Sequence, residues 1–213
     1  MSSHPWAGET EQMTSLLVAP RTLADLVPLR RYRTVALVTG TALLTAAAAQ
    51  IRIPLGFTPV PVTAQTLVVL LAAAALGARL AVAGQALYWM LGAVGLPFYA
   101  GAERGWDAAT GSTFGYFVGF VVASAVVGRL AERGQDRSFS TSVPAMLTGS
   151  ALIYACGVSW LAVHLDVPFY AGDGRDAFTY GLAPFIAGDL AKMIAAAALT
   201  PVLWRVASRS DLD

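Results

Sequence analysis

The stretch TAQTLVVLLAAAALGARLAVAGQALYWMLGAVGLPFYAG, residues 63–101, is apolar almost throughout and is interrupted by Gly77-Ala78-Arg79. Without that interruption it reads as one long helix; with it, as two shorter ones joined by a tight turn. Glycine has the backbone freedom a reversal needs, and arginine is costly inside hydrocarbon. The triplet therefore predicts a turn between spans at roughly 62–77 and 79–97. The first is short for a crossing that takes about 20 residues.

The same reading applied outward predicts further spans at roughly 34–51, 112–131, 143–165 and 182–204, six in all. Of the 213 residues, 56% are hydrophobic and 13% charged, the composition of an integral membrane protein. The expected fold class is an all-α membrane protein with six transmembrane helices. Residues 1–33 are expected to be a poorly ordered cytoplasmic tail, 34–205 a single six-helix domain and 206–213 a second cytoplasmic tail. The N-terminal stretch is polar and carries Pro5, Pro20 and Pro28, which reads as a tail and not as a cleaved leader. Cys156 lies in an apolar segment, so no disulfide can form within the chain.

Basic residues set the expected direction. Arg21, Arg30, Arg31, Arg33, Arg79, Arg129, Arg133, Arg137, Arg205 and Arg209 fall on one side, and Arg52, Arg104 and Arg175 on the other. Ten against three places both termini in the cytoplasm by the positive-inside rule. On the outer side, IRIPLGFTPVPV at 51–62 holds three prolines, stiff enough for a lid. PFYAG occurs at 97–101 and again at 168–172, and Trp89 and Trp160 correspond under the same offset. This echo is either two similar hairpins with matched aromatic loops or the ordinary use of Pro and aromatics at a membrane interface.

Intramembrane ionisable groups usually face a bundle interior or a cavity. In FIAGDLAKM (185–193), Asp189 and Lys192 are three residues apart, within about 60° on a helix. Lys192 is the only lysine among the 14 basic residues. The pair is either a packing lock or part of a ligand pocket in the outer half of the membrane. Gln65, Gln85, Tyr88 and Tyr116 fall at compatible depth, with Ser112 and Thr113 as a candidate helix cap. Together these groups suit a small polar ligand with donors, acceptors and a negative charge. Gly111, Gly115, Gly119 and Ala123 repeat every four residues, the close-approach pattern of membrane helices.

Several classes are excluded. With its single lysine in GDLAKM, the chain has no P-loop, and it has neither HExxH nor GxSxG. His4 and His164 are too few for a histidine-rich metal site, so neither an enzyme nor a bound cofactor is expected. Nothing suggests nucleic-acid binding.

FTPVPVTAQTLVVLLAAAALGARLAVAGQALYWMLGAVGLPFYAG (57–101), GSTFGYFVGFVVAS (111–124) and FIAGDLAKMIAAAAL (185–199), in this order, resemble the BioY family. Its members are the biotin-specific S components of energy-coupling factor transporters in bacterial cell membranes. The resemblance runs from about residue 34 to 204 and implies a six-helix S-component fold that captures biotin from outside. It also implies partners, namely a membrane coupling protein and an ATPase pair. Carried over residue by residue, Asp189 and Lys192 become ligand contacts, and Ala42 and Ala46 the best match for a small-residue docking face. The aromatic side chains Tyr88, Phe98, Tyr99, Trp106, Tyr116, Phe169 and Tyr170 are expected to wall the apolar part of the ligand, with Gln65 and Gln85 beside them. Ser112-Thr113-Phe114 departs from the family's usual proline-threonine pair before the GY. Two other readings compete: a self-sufficient proton-coupled carrier in which Asp189 titrates, and a structural protein whose Asp–Lys pair locks helix packing.

Overall fold

The computed structural model describes residues 21–26 and 32–210; the remainder of the expected N-terminal tail and residues 211–213 lie outside the described residues. After a short 3-10 helix at Leu23–Leu26 come α1 (Arg33–Gln50), β1 (Arg52–Ile53), β2 (Val62–Thr63), α2 (Gln65–Ala93), α3 (Trp106–Ala109), α4 (Phe114–Glu132), α5 (Phe139–Leu165), α6 (Ala177–Gly181) and α7 (Ile186–Ser210). Among the described residues, four helices can cross a membrane by length and composition: α2, α4, α5, and α7 over Ile186–Val206. The last helix runs beyond the expected boundary at 205.

α2 is not straight. Gly77 has φ 77° and ψ 173°, outside the helical region. In a continuous helix Gln65 and Tyr88 would stand about 35 Å apart at 1.5 Å per residue, yet Gln65 Nε2 donates to Tyr88 Oη at 2.9 Å. The chain therefore folds back at Gly77 into two arms, 65–76 and 78–93. Glu132 Oε1, at the end of α4, accepts the Ala78 N–H at 2.9 Å and satisfies a donor that the break leaves open. The second arm stops at Ala93, short of the expected 97, because Gly95 (φ 113°) takes the left-handed position and Leu96 N–H returns to the Leu91 carbonyl.

Close helix contacts follow the small residues. A Cβ added at Gly115 would come within 2.3 Å of Trp160 Cβ and one at Gly119 within 2.8 Å of Ile153 Cα, so the glycine row seats α4 on α5. Thr113 precedes α4 without any side-chain capping bond, so the expected cap is not formed. Its carbonyl instead accepts the Tyr116 N–H. Ala42 and Ala46 face inward, in the cluster that holds Val69, Tyr88 and Phe117. The outward apolar positions of α1 are Val35, Ala36, Leu43, Leu44 and Ala47. At the opposite end from β1 and β2, Thr22 and Ala24 are buried against the fold-back and α7. Trp204 Nε1 donates to Asp136 Oδ2, tying α7 to the turn after α4.

The two PFYAG copies diverge. Tyr99 is buried, with its ring against Gly92 and its hydroxyl donating to the Trp89 carbonyl, whereas Phe169 and Tyr170 are exposed. Trp89 and Trp160 remain matched: each indole N–H donates to a backbone carbonyl of the same segment, Ala109 at 3.1 Å and Gly111 at 2.9 Å.

The second copy is organised by Asp176, which precedes α6. Its carboxylate accepts N–H bonds from Ala171 (2.9 Å), Thr179 (2.7 Å) and Gly172 (3.2 Å), and these hold its pKa down at about 2. A depressed folded value means that the anchoring is complete above about pH 4 and is lost as pH falls through about 2. The expected outcome is that amide hydrogen exchange at Ala171, Gly172 and Thr179, corrected for intrinsic rates, stays protected down to about pH 4 and rises steeply below pH 3. In Asp176→Asn these amides exchange fast throughout.

Candidate functional site

Gln50 ends α1, and the β1–β2 pair, with Arg52 opposite Thr63, closes the proline-rich segment over the end of the bundle. Beneath it lies a cavity of about 380 Å³, within the range of about 300–1,000 Å³ typical of small-molecule pockets. Pro54, Leu55 and Thr58–Pro61 roof it, and Tyr99, Glu103 and Asp107 line one rim. Tyr116, Phe117 and Phe120 of α4, Ile153 and Tyr154 of α5, and Phe185 form the walls. Thr58 Oγ1 donates to the Tyr180 carbonyl at 2.8 Å and fastens the roof to α6.

Asp189 lines the deep end. Its Oδ1 accepts from Lys192 Nζ at 2.6 Å and from Thr66 Oγ1 at 3.2 Å, and its Oδ2 accepts from the Tyr154 hydroxyl at 2.6 Å. Its side chain is 9% exposed and that of Lys192 20%, so this is a largely desolvated ion pair. Such a pair holds only when its remaining hydrogen-bonding positions are also filled. A carboxylate offers about four lone-pair positions. Three are taken, which leaves one, on Oδ2, for a donor inside the cavity.

Lys192 stands behind this arrangement. Its ammonium donates to Asp189 and, at 2.5 Å, to the Thr63 carbonyl, and it is not part of the cavity lining. Gln65 lines the cavity and is held at both ends: Nε2 donates to Tyr88, and Oε1 accepts from Thr63 Oγ1 at 3.0 Å. Tyr116 lies across Gly157, where a Cβ would meet its ring at 2.4 Å, and its hydroxyl donates to the Gly181 carbonyl at 2.7 Å. Tyr99 stacks on Phe117 with ring centroids 5.0 Å apart.

Among the expected site residues, Asp189, Gln65, Tyr99 and Tyr116 meet at one cavity, and Lys192 and Tyr88 sit one bond behind it. Gln85 is elsewhere, buried in the bundle and donating to Thr45 Oγ1 at 3.2 Å. Trp106 and Tyr170 are 62% and 69% exposed and turn outward: Trp106 packs on Trp89, and Tyr170 on Phe178. Sequence reasoning missed Tyr154 and Thr66. Thr66 follows Gln65, on a neighbouring face of the first arm, but Tyr154 stands in an apolar run with no partner in local sequence.

Comparison with known proteins gives the family. The profile of the BioY family matches residues 17–209. "Biotin transporter BioY" of Thermotoga maritima is 40% identical over 149 residues, 70% of this chain and 82% of that one. The protein of the same name from Rhizobium etli is 36% identical over 154 residues, 69% and 79% of the two chains. The S-component for biotin from an ECF-type ABC transporter, known from a crystal structure, shares the fold with a TM-score of 0.71 over 84% of this chain and 94% of its own, at 21% identity. By profile, by sequence and by the fold that holds its cavity, the chain belongs to the BioY family.

Proposed function

We propose that the chain is the biotin-binding membrane subunit of an uptake system. Six helical segments (α1, the two arms of α2, α4, α5 and α7) cross the bacterial cell membrane with both termini in the cytoplasm, and the cavity receives biotin from outside. The observation that carries this reading is the free acceptor position on Asp189 Oδ2 at the deep end of a cavity walled by Tyr116, Phe117 and Phe120. Biotin presents two ureido N–H donors, an apolar bicyclic body and chain, and a terminal carboxylate. A ureido N–H meets Asp189, the rings occupy the aromatic walls, and Lys192 acts through Asp189 as a positioning residue. With no P-loop in the sequence, the energy for release comes from partners, a membrane coupling protein with its ATPase pair. Because Ala42 and Ala46 are buried, docking on the coupling protein falls to the outward positions of α1, Ala36, Leu43, Leu44 and Ala47.

Calorimetric titration of the purified chain with biotin in detergent, with lipoate and thiamine as controls, tests the reading. Saturable one-to-one binding of biotin alone is expected. One observation favours a purely structural pair: Lys192 also holds the Thr63 carbonyl and so joins α7 to the roof. Folded protein that binds none of the three ligands would establish that alternative.

A further inference from the structure

Placing biotin's ureido group at Asp189 leaves its carboxylate without a cation. Lys192 is committed to Asp189 and to Thr63 and does not line the cavity. Among the described residues that do line it, Arg52 alone is cationic. We propose that Arg52 receives the ligand's carboxylate and makes the site selective for free acids, an inference that rests on the biotin reading.

Arg52 stands in β1 opposite Thr63, whose carbonyl holds Lys192, so its backbone belongs to the strand pair that closes the roof. Its guanidinium lies against the turn at Gly101. A Cβ there would come within 2.4 Å of Arg52 Cζ and within 2.5 and 2.8 Å of its terminal nitrogens. The seat exists because Gly101 has no side chain, and its φ of +78° disfavours one. Gln50 holds that turn in place: Nε2 donates to the Tyr99 carbonyl at 3.1 Å, and Oε1 accepts the Ala102 N–H at 3.1 Å. The guanidinium is therefore positioned by α1, by β1 and by the first PFYAG copy.

Its hydrogen-bonding capacity is unspent. Among the described residues it makes neither an ion pair nor a side-chain hydrogen bond, although Glu103 and Asp107 share the rim. A planar fork with free donors at the mouth, opposite a single free acceptor at the deep end, suits a ligand with N–H groups at one end and a carboxylate at the other. The rim acids sharpen the requirement, since without Arg52 an anionic end would meet only like charge.

The test compares biotin with biotinamide, which keeps the ureido group and chain but carries no charge, on wild type and Arg52→Gln by calorimetry. Arg52→Gln is expected to weaken biotin about tenfold or more, as loss of a charge-assisted pair does. Biotinamide is expected to bind both proteins within about twofold, and its binding also shows that the variant is folded. The selectivity of wild type for biotin over the amide is expected to narrow in high salt, because Arg52 is exposed. An Arg52→Gln protein that binds biotin like wild type, or that weakens biotin and biotinamide equally, overturns the inference and leaves the biotin reading standing. Wild-type protein that binds neither compound removes both.

Discussion

Asp189→Asn is expected to lower the affinity for biotin by about a hundredfold to ten-thousandfold while the protein stays folded. The carboxylate takes three donors and keeps one acceptor position toward the cavity. A carboxamide has one oxygen to share among them. If that oxygen stays with Lys192 and Thr66, the amide nitrogen faces both Tyr154 and the ligand's N–H, donor against donor. Tyr154 can rotate its hydroxyl and accept; the ureido group cannot. The loss is one hydrogen bond to a charged acceptor, about 1.5–3 kcal/mol, together with a buried donor left unpaired, about 1–3 kcal/mol. At 1.4 kcal/mol per tenfold this gives the stated range. Helix packing survives because the substitution is isosteric and Lys192 keeps the Thr63 carbonyl and some contact with solvent. Titration beside a thermal melt checks both halves, and unchanged affinity would remove Asp189 from the binding site.

The second large effect is on folding. Gly128→Leu places a side chain where the Cβ alone would lie 2.3 Å from Ala78 N, 2.5 Å from Ala78 Cα and 2.6 Å from Gly77 C. These are backbone atoms of the fold-back, which cannot step aside as a side-chain tip can. α4 must move away, and Glu132, one turn further along the same face, then leaves the Ala78 N–H that it caps at 2.9 Å. Overpacking costs about 1–3 kcal/mol and the lost cap about 1 kcal/mol more. In a chain of this size the apparent melting midpoint should fall by roughly 5–15 °C. Gly188→Ala is the control. Nothing lies within 4 Å of its Cβ position, and it sits inside α7, so the midpoint should hold or rise slightly. A Gly128→Leu protein that melts with wild type would mean that the fold-back does not press on α4.

These predictions draw unequally on the sequence. The reversal at Gly77 could be read in advance because glycine and arginine interrupt an otherwise unbroken apolar run. Asp189 and Lys192 stood out for a similar reason, since charge inside such a run needs a partner and the helical period supplies one. Tyr154 was hidden, because its role depends on α5 passing α7, a long-range contact with no local trace. Gln85 misled in the opposite way. It sits on the same arm as Tyr88 and three residues from it, yet the approach of Gly84 to Thr41 brings α1 close enough for Gln85 to bond Thr45 within the bundle. The two PFYAG copies show how little an identical pentapeptide decides: Gly92 gives the first tyrosine a seat for its ring, and the second, Tyr170, remains exposed.

The fold-back also settles a matter of parity. Counted as a single 29-residue crossing, α2 would deliver residue 94 to the opposite face of the bundle from residue 64 and invert the sidedness of every later loop. Because Gln65 and Tyr88 touch, residues 51–64 and 94–113 emerge at the same end, and both contribute to one cavity. The arms are about 18 and 24 Å long against about 30 Å of hydrocarbon, so on the six-segment reading the bilayer thins beside them and Arg79 reaches from the turn to the headgroups.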